Sequence, residues 1–368
     1  MRGLATTGLV LGLISLMPAG VGAQDVSPSP PPRPVPSTAA EATAFPAEAT
    51  FLPGEVEFES PSWSHITPVR GPAAREDHTW TVDGDGRNAY LFGGRDGSAA
   101  FADLWRFELE TDTWHKLLPP GKGPAARFGH SAVWSDGHGL VVFAGQRDAD
   151  FFGDLWAYDP DRDAWTELPA NGAAPKARYG SCMIVGPDGR LWISHGFTFA
   201  GRFDDTRAYD LEAQRWAAST PELRRPGQRC LHDCFTSADG QLVLYGGQNE
   251  TVPALGDLWL TRDEGTWRRL PDPSLEARRL YAVTESGPHA WLFGGIGRDD
   301  PLGDLWRIDR ETLAFERIEV PGPSPSARYA GTLIDDADRG RLLLFGGRGR
   351  EARADLWQLS DKVTAASP

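Results

Sequence analysis

Six arginines, Arg75, Arg127, Arg178, Arg229, Arg278 and Arg328, stand at one slot of a phrase that recurs along the chain. A guanidinium presents a planar fork of N–H donors that takes a carboxylate through two parallel hydrogen bonds. Six of them around one opening would form a site for acidic ligands. Other positions of the phrase extend that candidate surface. Gln146, Arg147, Gln248 and Asn249 follow the repeated glycines, and His195 and Phe197 belong to the third copy, which departs most from the rest. The plainer role for an arginine found in every copy is architectural, holding loop carbonyls or an acidic neighbour. Residue type and spacing leave both roles open.

A second constellation is Cys230-Leu231-His232-Asp233-Cys234, two thiols and an imidazole alternating along a strand. Such soft ligands suit zinc or copper(I). His232 nevertheless shares its slot with His78 and His130, which have no cysteines beside them, so no metal or other cofactor is expected. Cys230 and Cys234 lie about 13 Å apart in extended chain, beyond disulfide reach. Cys182 is the fourth residue after its repeat arginine and Cys234 the fifth. Opposite parity turns them to opposite sheet faces, and facing surfaces of neighbouring sheets are opposite faces. A Cys182–Cys234 bridge is therefore permitted, with buried free thiols as the alternative.

These residues must be carried by a repeating element. A glycine recurs at Gly94, Gly145, Gly196, Gly247, Gly295 and Gly347, at spacings of 51, 51, 51, 48 and 52. Each copy holds four short apolar runs, as in Arg127-Phe128-Gly129-His130, Leu140 to Phe143, Asp154-Leu155-Trp156 and Trp165. A period near fifty with four strands per copy specifies an all-β propeller of six blades. The last copy ends at Asp355-Leu356-Trp357-Gln358-Leu359 without a fourth strand, and Val56 to Ile66 precedes the first copy. The N-terminal segment is expected to complete the last blade and close the ring, removing the open sheet edges.

The double glycines Gly93-Gly94, Gly246-Gly247, Gly294-Gly295 and Gly346-Gly347, the Asp-Leu-Trp triplets at 103–105, 154–156, 257–259, 304–306 and 355–357, and Trp114, Trp165, Trp216 and Trp267 together resemble the kelch family. The resemblance covers nearly all of the chain after residue 51 and implies a propeller of four antiparallel strands per blade. In some kelch-family adaptors, arginines at the matching slot contact acidic peptides. Function follows less directly, because one fold hosts unrelated activities. Galactose-oxidase-like kelch enzymes need a copper site with a cross-linked tyrosine and cysteine, for which no match exists here. The iron-holding Glu, Asp and His of plant specifier proteins are approached only by Glu108, Asp112 and His115, with the wrong second spacing. Periplasmic sialic-acid mutarotases are similar in architecture; Glu76, Glu250 and His195 are the acid–base groups that chemistry would need.

Composition narrows the partners. The formal net charge of −14 excludes a general nucleic-acid binder, which needs a basic face. Ten of the 14 tryptophans sit at fixed repeat positions, so they read as packing between blades rather than as a sugar platform. Residues 1–23 read as a secretory signal peptide, from Arg2 through an apolar run to Val21-Gly22-Ala23. Residues 24–50 read as a disordered Pro/Ala-rich linker, 51–360 as the propeller and 361–368 as a disordered tail. The expectation is a secreted or periplasmic monomer without a membrane span after cleavage. It would bind a protein segment or an anionic glycan non-catalytically at the arginine-ringed loop face, the alternative being an acidic-sugar mutarotase or epimerase.

Overall fold

A computed structural model describes residues 58, 60–218, 225–263 and 266–361. Six four-stranded antiparallel sheets surround a central channel. In blade one the strands run outward from the axis as Thr79–Val82, Asn88–Phe92, Leu104–Glu108 and Thr113–Leu117. The second strand of each blade is the most apolar because both its faces are covered by neighbouring blades. Gly139–Phe143 and Arg341–Phe345 are buried at every position.

The repeat tryptophans fill the wedges between blades. Trp114 packs on Phe345 at 5.3 Å, Trp165 on Phe92 at 5.3 Å and Trp216 on Phe143 at 5.4 Å. In each case an outer-strand indole reaches the second-strand phenylalanine of the preceding blade. Full burial of such side chains stabilises by about 1.5–3 kcal/mol each.

Two closures hold the ring. On the outside, Pro61–Ile66 pairs antiparallel with Leu356–Asp361, from Pro61 opposite Asp361 to Ile66 opposite Leu356, and so supplies the fourth strand of blade six. Trp63 on this strand is buried against Phe293 of blade five. Val56, Glu57 and Glu59 of the expected closing segment lie outside the described residues, as do 1–55 and the tail after Asp361.

On the inside, the residue two after each repeat arginine hydrogen-bonds to its counterpart in the next blade. The amides of Asp77, Gly129, Gly180, Leu231, Leu280 and Ala330 donate in turn to the carbonyls of Ala330, Asp77, Gly129, Gly180, Leu231 and Leu280, at 2.7–3.0 Å. All six residues have left-handed φ between 53° and 63°. Four are not glycine, a conformation that is uncommon and costs about 1–2 kcal/mol. A circle of otherwise unpaired backbone groups offsets that cost.

A covalent tie crosses one blade interface: Cys182 of blade three and Cys234 of blade four form a disulfide, with Cα atoms 5.9 Å apart. Cys230 is a buried free thiol.

Deleting residues 51–67 removes the outer closing strand and is expected to abolish cooperative thermal unfolding followed by circular dichroism. Deleting 24–50 is expected to leave the midpoint unchanged. A cooperative transition in the longer truncation would show that the ring closes some other way.

Candidate functional site

The chain reverses between the second and third strands on the same end of the propeller where each first strand begins. That end is the mouth. The repeat arginines start there, but the structure corrects their expected role. All six are at most 2 % exposed and point into their own blades. Arg127 is typical: Nη1 donates to Ala144 O at 2.9 Å and Asp154 Oδ1 at 2.7 Å, Nη2 to Asp154 Oδ2 at 2.8 Å, and Nε to Ala125 O at 3.0 Å. The other five repeat this with Asp103, Asp205, Asp257, Asp304 and Asp355. Five of these six aspartates open an Asp-Leu-Trp triplet, and Asp205 opens Asp-Thr-Arg at the same place in blade three. In the five, the carboxylate also accepts the triplet's indole N–H, as from Trp156 at 2.7 Å. In blade three Arg207 takes the tryptophan's place and donates to Asp205 at 3.0 Å. With Nε, both Nη1 donors and one Nη2 donor engaged inside the blade and at most 2 % of the residue exposed, these guanidinium groups are not presented to a ligand at the mouth. Both members of the pair recur in the sequence, but they lie too far apart along the chain for residue type alone to join them.

Burial pushes Asp154 upward, but the hydrogen bonds and charge of Arg127 outweigh it and hold the carboxyl below its ordinary value.

The mouth is lined instead by two other positions of the repeat, which pair across each blade: Glu76 with Arg95, Phe128 with Gln146, Tyr179 with Phe197, Cys230 with Gln248, Arg279 with Ile296, and Tyr329 with Arg348. Their chemistry divides the mouth in two. At blades six and one, Glu76 and Asp77 are buried side by side and neutralised locally. Arg95 reaches Asp77 at 2.9 Å and Glu76 at 3.3 Å, and Arg348 reaches Glu76 at 2.8 Å. Burial first, then the charge of Asp77, raises Glu76 to about 7 against the pull of both arginines.

At blades three to five the cations have no such partners. Arg202 lies over the Phe197 ring at 5.4 Å, and Arg279 donates to the carbonyls of Gly297, at 3.0 Å, and Pro253. Neither has a carboxylate within salt-bridge distance among the described residues. Burial lowers the pKa of Arg279, with only weaker pulls from groups that include Asp299. Between these arginines, Gln248 Nε2 sits 3.7 Å from the buried Cys230 sulfur, whose thiol pKa burial pushes up. Phe151, Phe197 and Phe199 cluster beside Arg202, with ring centroids 4.9–6.1 Å apart, and Phe199 is 69 % exposed.

Of the remaining sequence candidates, Gln146, Phe197 and Gln248 belong to the pairs at the mouth. Gln146 is nearly buried and bonds Asp148 O, Arg147 faces Asp150 at 3.6 Å, and Asn249 caps its own turn through the amides of Thr251 and Val252. His195 is a correction: it is fully buried, bonded to Ser194 Oγ and packed against His232. It is therefore not available as an acid–base group beside the exposed Glu250. Arg202 and Arg279 were missed, because neither occupies a slot conserved in type among the copies.

The chain matches the model of the KLHDC2/KLHL20/DRC7 Kelch-repeats domain over residues 55–247, a little over half its length. It belongs to the kelch-repeat family. Among its relatives, Kelch domain-containing protein 10 of Xenopus tropicalis is 26 % identical over 82 % of this chain and 78 % of its own. N-(sulfonatooxy)prop-2-enimidothioate sulfolyase of Thlaspi arvense is 27 % identical over 78 % and 92 % respectively. Acyl-CoA-binding domain-containing protein 4 of Arabidopsis thaliana is 33 % identical over 71 % of this chain but 40 % of its own. In this kelch propeller Glu108 and His115 lie on the two outer strands of blade one, 3.9 Å apart, and Asp112 is engaged by Arg341. That group is remote from the mouth.

Arg127→Ala leaves Asp154 without its buried counter-charge and is expected to cost about 3–5 kcal/mol in denaturant unfolding. Asp154 is held below its unfolded value, so its contribution is complete above about pH 4 and fades as pH falls through the folded pKa. The stability gap between wild type and Asp154→Asn should narrow on acidification accordingly.

Proposed function

We propose that this kelch propeller is an exported, non-catalytic binding module that holds an acidic peptide segment or an anionic glycan at the mouth between blades three and five. Its kinship with kelch-domain proteins supports an interaction role. One observation carries the ligand class. Arg202 and Arg279 flank Gln248 and the Phe197–Phe199 cluster, and no carboxylate of the described chain neutralises them. An anionic group entering here would gain charge-assisted hydrogen bonds from both, worth about 1.5–3 kcal/mol each. The exposed phenyl rings would cover an apolar part of the same ligand. The arginines that would meet such a ligand are these two and not the six of the repeated slot.

Export is supported by the leader-like residues 1–23 and by the Cys182–Cys234 disulfide, which persists in oxidising compartments.

Two measurements test the reading. Titration with sialylated oligosaccharides and with a Glu-rich peptide should show saturable binding that Arg202→Gln/Arg279→Gln weakens at least tenfold, while Arg147→Gln leaves it intact. Equal binding by both variants would refute the site, and catalysed anomer exchange of sialic acid would refute the non-catalytic role. Separately, Cys182→Ser/Cys234→Ser is expected to lower stability by about 2–4 kcal/mol, and unreduced peptide mapping of the native protein should recover the linked pair.

A further inference from the structure

The central channel has a volume of about 700 Å³ and is chemically unlike the mouth. The six first strands wall it, the amide circle bounds its mouth end, and the turns after the first strands frame its other end. Its lining includes six carboxylates, those of Asp77, Asp83, Asp233, Glu285, Asp335 and Asp338, and no lysine or arginine. Most of the six are already engaged or lie outside. Asp77 is taken by Arg95, and Asp83 caps its own turn through the Arg87 and Asn88 amides. Glu285 accepts from the Thr236 amide and pairs with Arg310 at 2.6 Å, and Asp338 is exposed at the far opening.

Asp233 and Asp335 remain. Asp233 is enclosed by the surrounding walls, faces no cation, and receives one side-chain hydrogen bond, from the Cys234 amide at 2.9 Å. Oδ1 of Asp335 is buried beside the Ser286 hydroxyl, whose hydrogen bonding pulls the carboxyl's pKa down against burial, and no cation faces it. Carboxylates in a walled cavity with hydrogen bonds but no counter-charge are costly to ionise unless a cation joins them. In the unliganded protein burial raises both to about 7.

Their placement sets the shape of a neutralising ligand. Asp233 is the fourth residue after its repeat arginine and Asp335 the seventh. Three residues of strand separate their levels by about 10 Å along the axis. Between those levels the wall is mostly apolar, with Val133, Met183, Ile184 and Val283, and is broken by Thr81 and Thr284.

We propose that the channel binds an elongated aliphatic polyamine, with one ammonium at Asp233, a second at Asp335, and the methylene chain against the apolar wall. The site is independent of the mouth, opposite to it in charge, and opens at the far end of the propeller.

Calorimetric titration of the full chain with spermidine at pH 8 tests this. One molecule should bind per chain. Asp233→Asn/Asp335→Asn should weaken binding at least tenfold, whereas Asp161→Asn/Asp299→Asn, which removes the same charge from the surface, should not. Putrescine, too short to reach both levels, should bind at least tenfold more weakly than spermidine. Absence of saturable heat, or equal loss in the surface variant, would overturn the site. Should the double variant fail to fold, Asp335→Asn alone must abolish the thermal stabilisation by spermidine, and its retention would overturn the proposal. Arg202→Gln/Arg279→Gln should bind spermidine like wild type, so failure of the mouth reading and failure of the channel reading are told apart.

Discussion

A buried guanidinium clamped by one carboxylate and one peptide carbonyl fixes three strands of every blade at a single point. The arginine precedes the first strand, the carbonyl closes the second, and the aspartate opens the third. Removing an ion pair from water is expensive, and it is tolerated only when geometry is good and leftover donors are satisfied. Here the fork is bidentate, Nε bonds the carbonyl two residues back, and the aspartate takes a further N–H from the triplet's third residue. Blade three shows that the requirement is for a donor rather than for an indole, since Arg207 serves Asp205 there.

Because the clamp turns the arginines inward, the chemistry of the mouth falls to the residues just after them and just after the glycines. Those positions are free to vary, and they do: Glu76, Phe128, Tyr179, Cys230, Arg279 and Tyr329 follow the six arginines. The repeated residues thus build a nearly sixfold frame, and the unrepeated ones break its symmetry into a neutralised half and a cationic half. The channel is acidic for a related reason. All six repeat arginines are withdrawn into the blades, so the carboxylates of the first strands meet no repeated positive charge along the axis.

The blade number, the strand count and the closing strand were legible because they depend on period and alternation, which sequence carries directly. The disulfide partners were legible for a subtler reason. Cys182 and Cys234 were both counted from a repeat arginine across the same left-handed residue, so the turn's effect on parity cancels between blades. The direction of the arginines had no such cancellation. They lie before that turn, where alternation along the strand says nothing about side-chain direction. Their partners were still encoded, since the arginine-to-aspartate separation is 26–28 residues in every copy. Arg202 and Arg279 leave no comparable trace, because a charge without a facing carboxylate shows its meaning only against the charges around it in space.

The same burial that organises the ring also sets how its buried histidines respond to acid. His78, His130, His195 and His232 are all packed between blades, and burial, reinforced by nearby arginines, lowers the pKa of each, to about 3 for His130 and His232. The folded state therefore keeps them neutral while the unfolded chain takes up protons near pH 6.5. Their contribution is full above that value and declines as pH falls below it, well before the six clamp aspartates, held below their ordinary pKa, begin to protonate. Mild acid thus acts on the packing between blades while the ion pairs inside each blade remain charged. The disulfide lies at the interface where His195 and His232 meet, so the one covalent tie spans the boundary with two of the four proton-sensitive side chains in mutual contact.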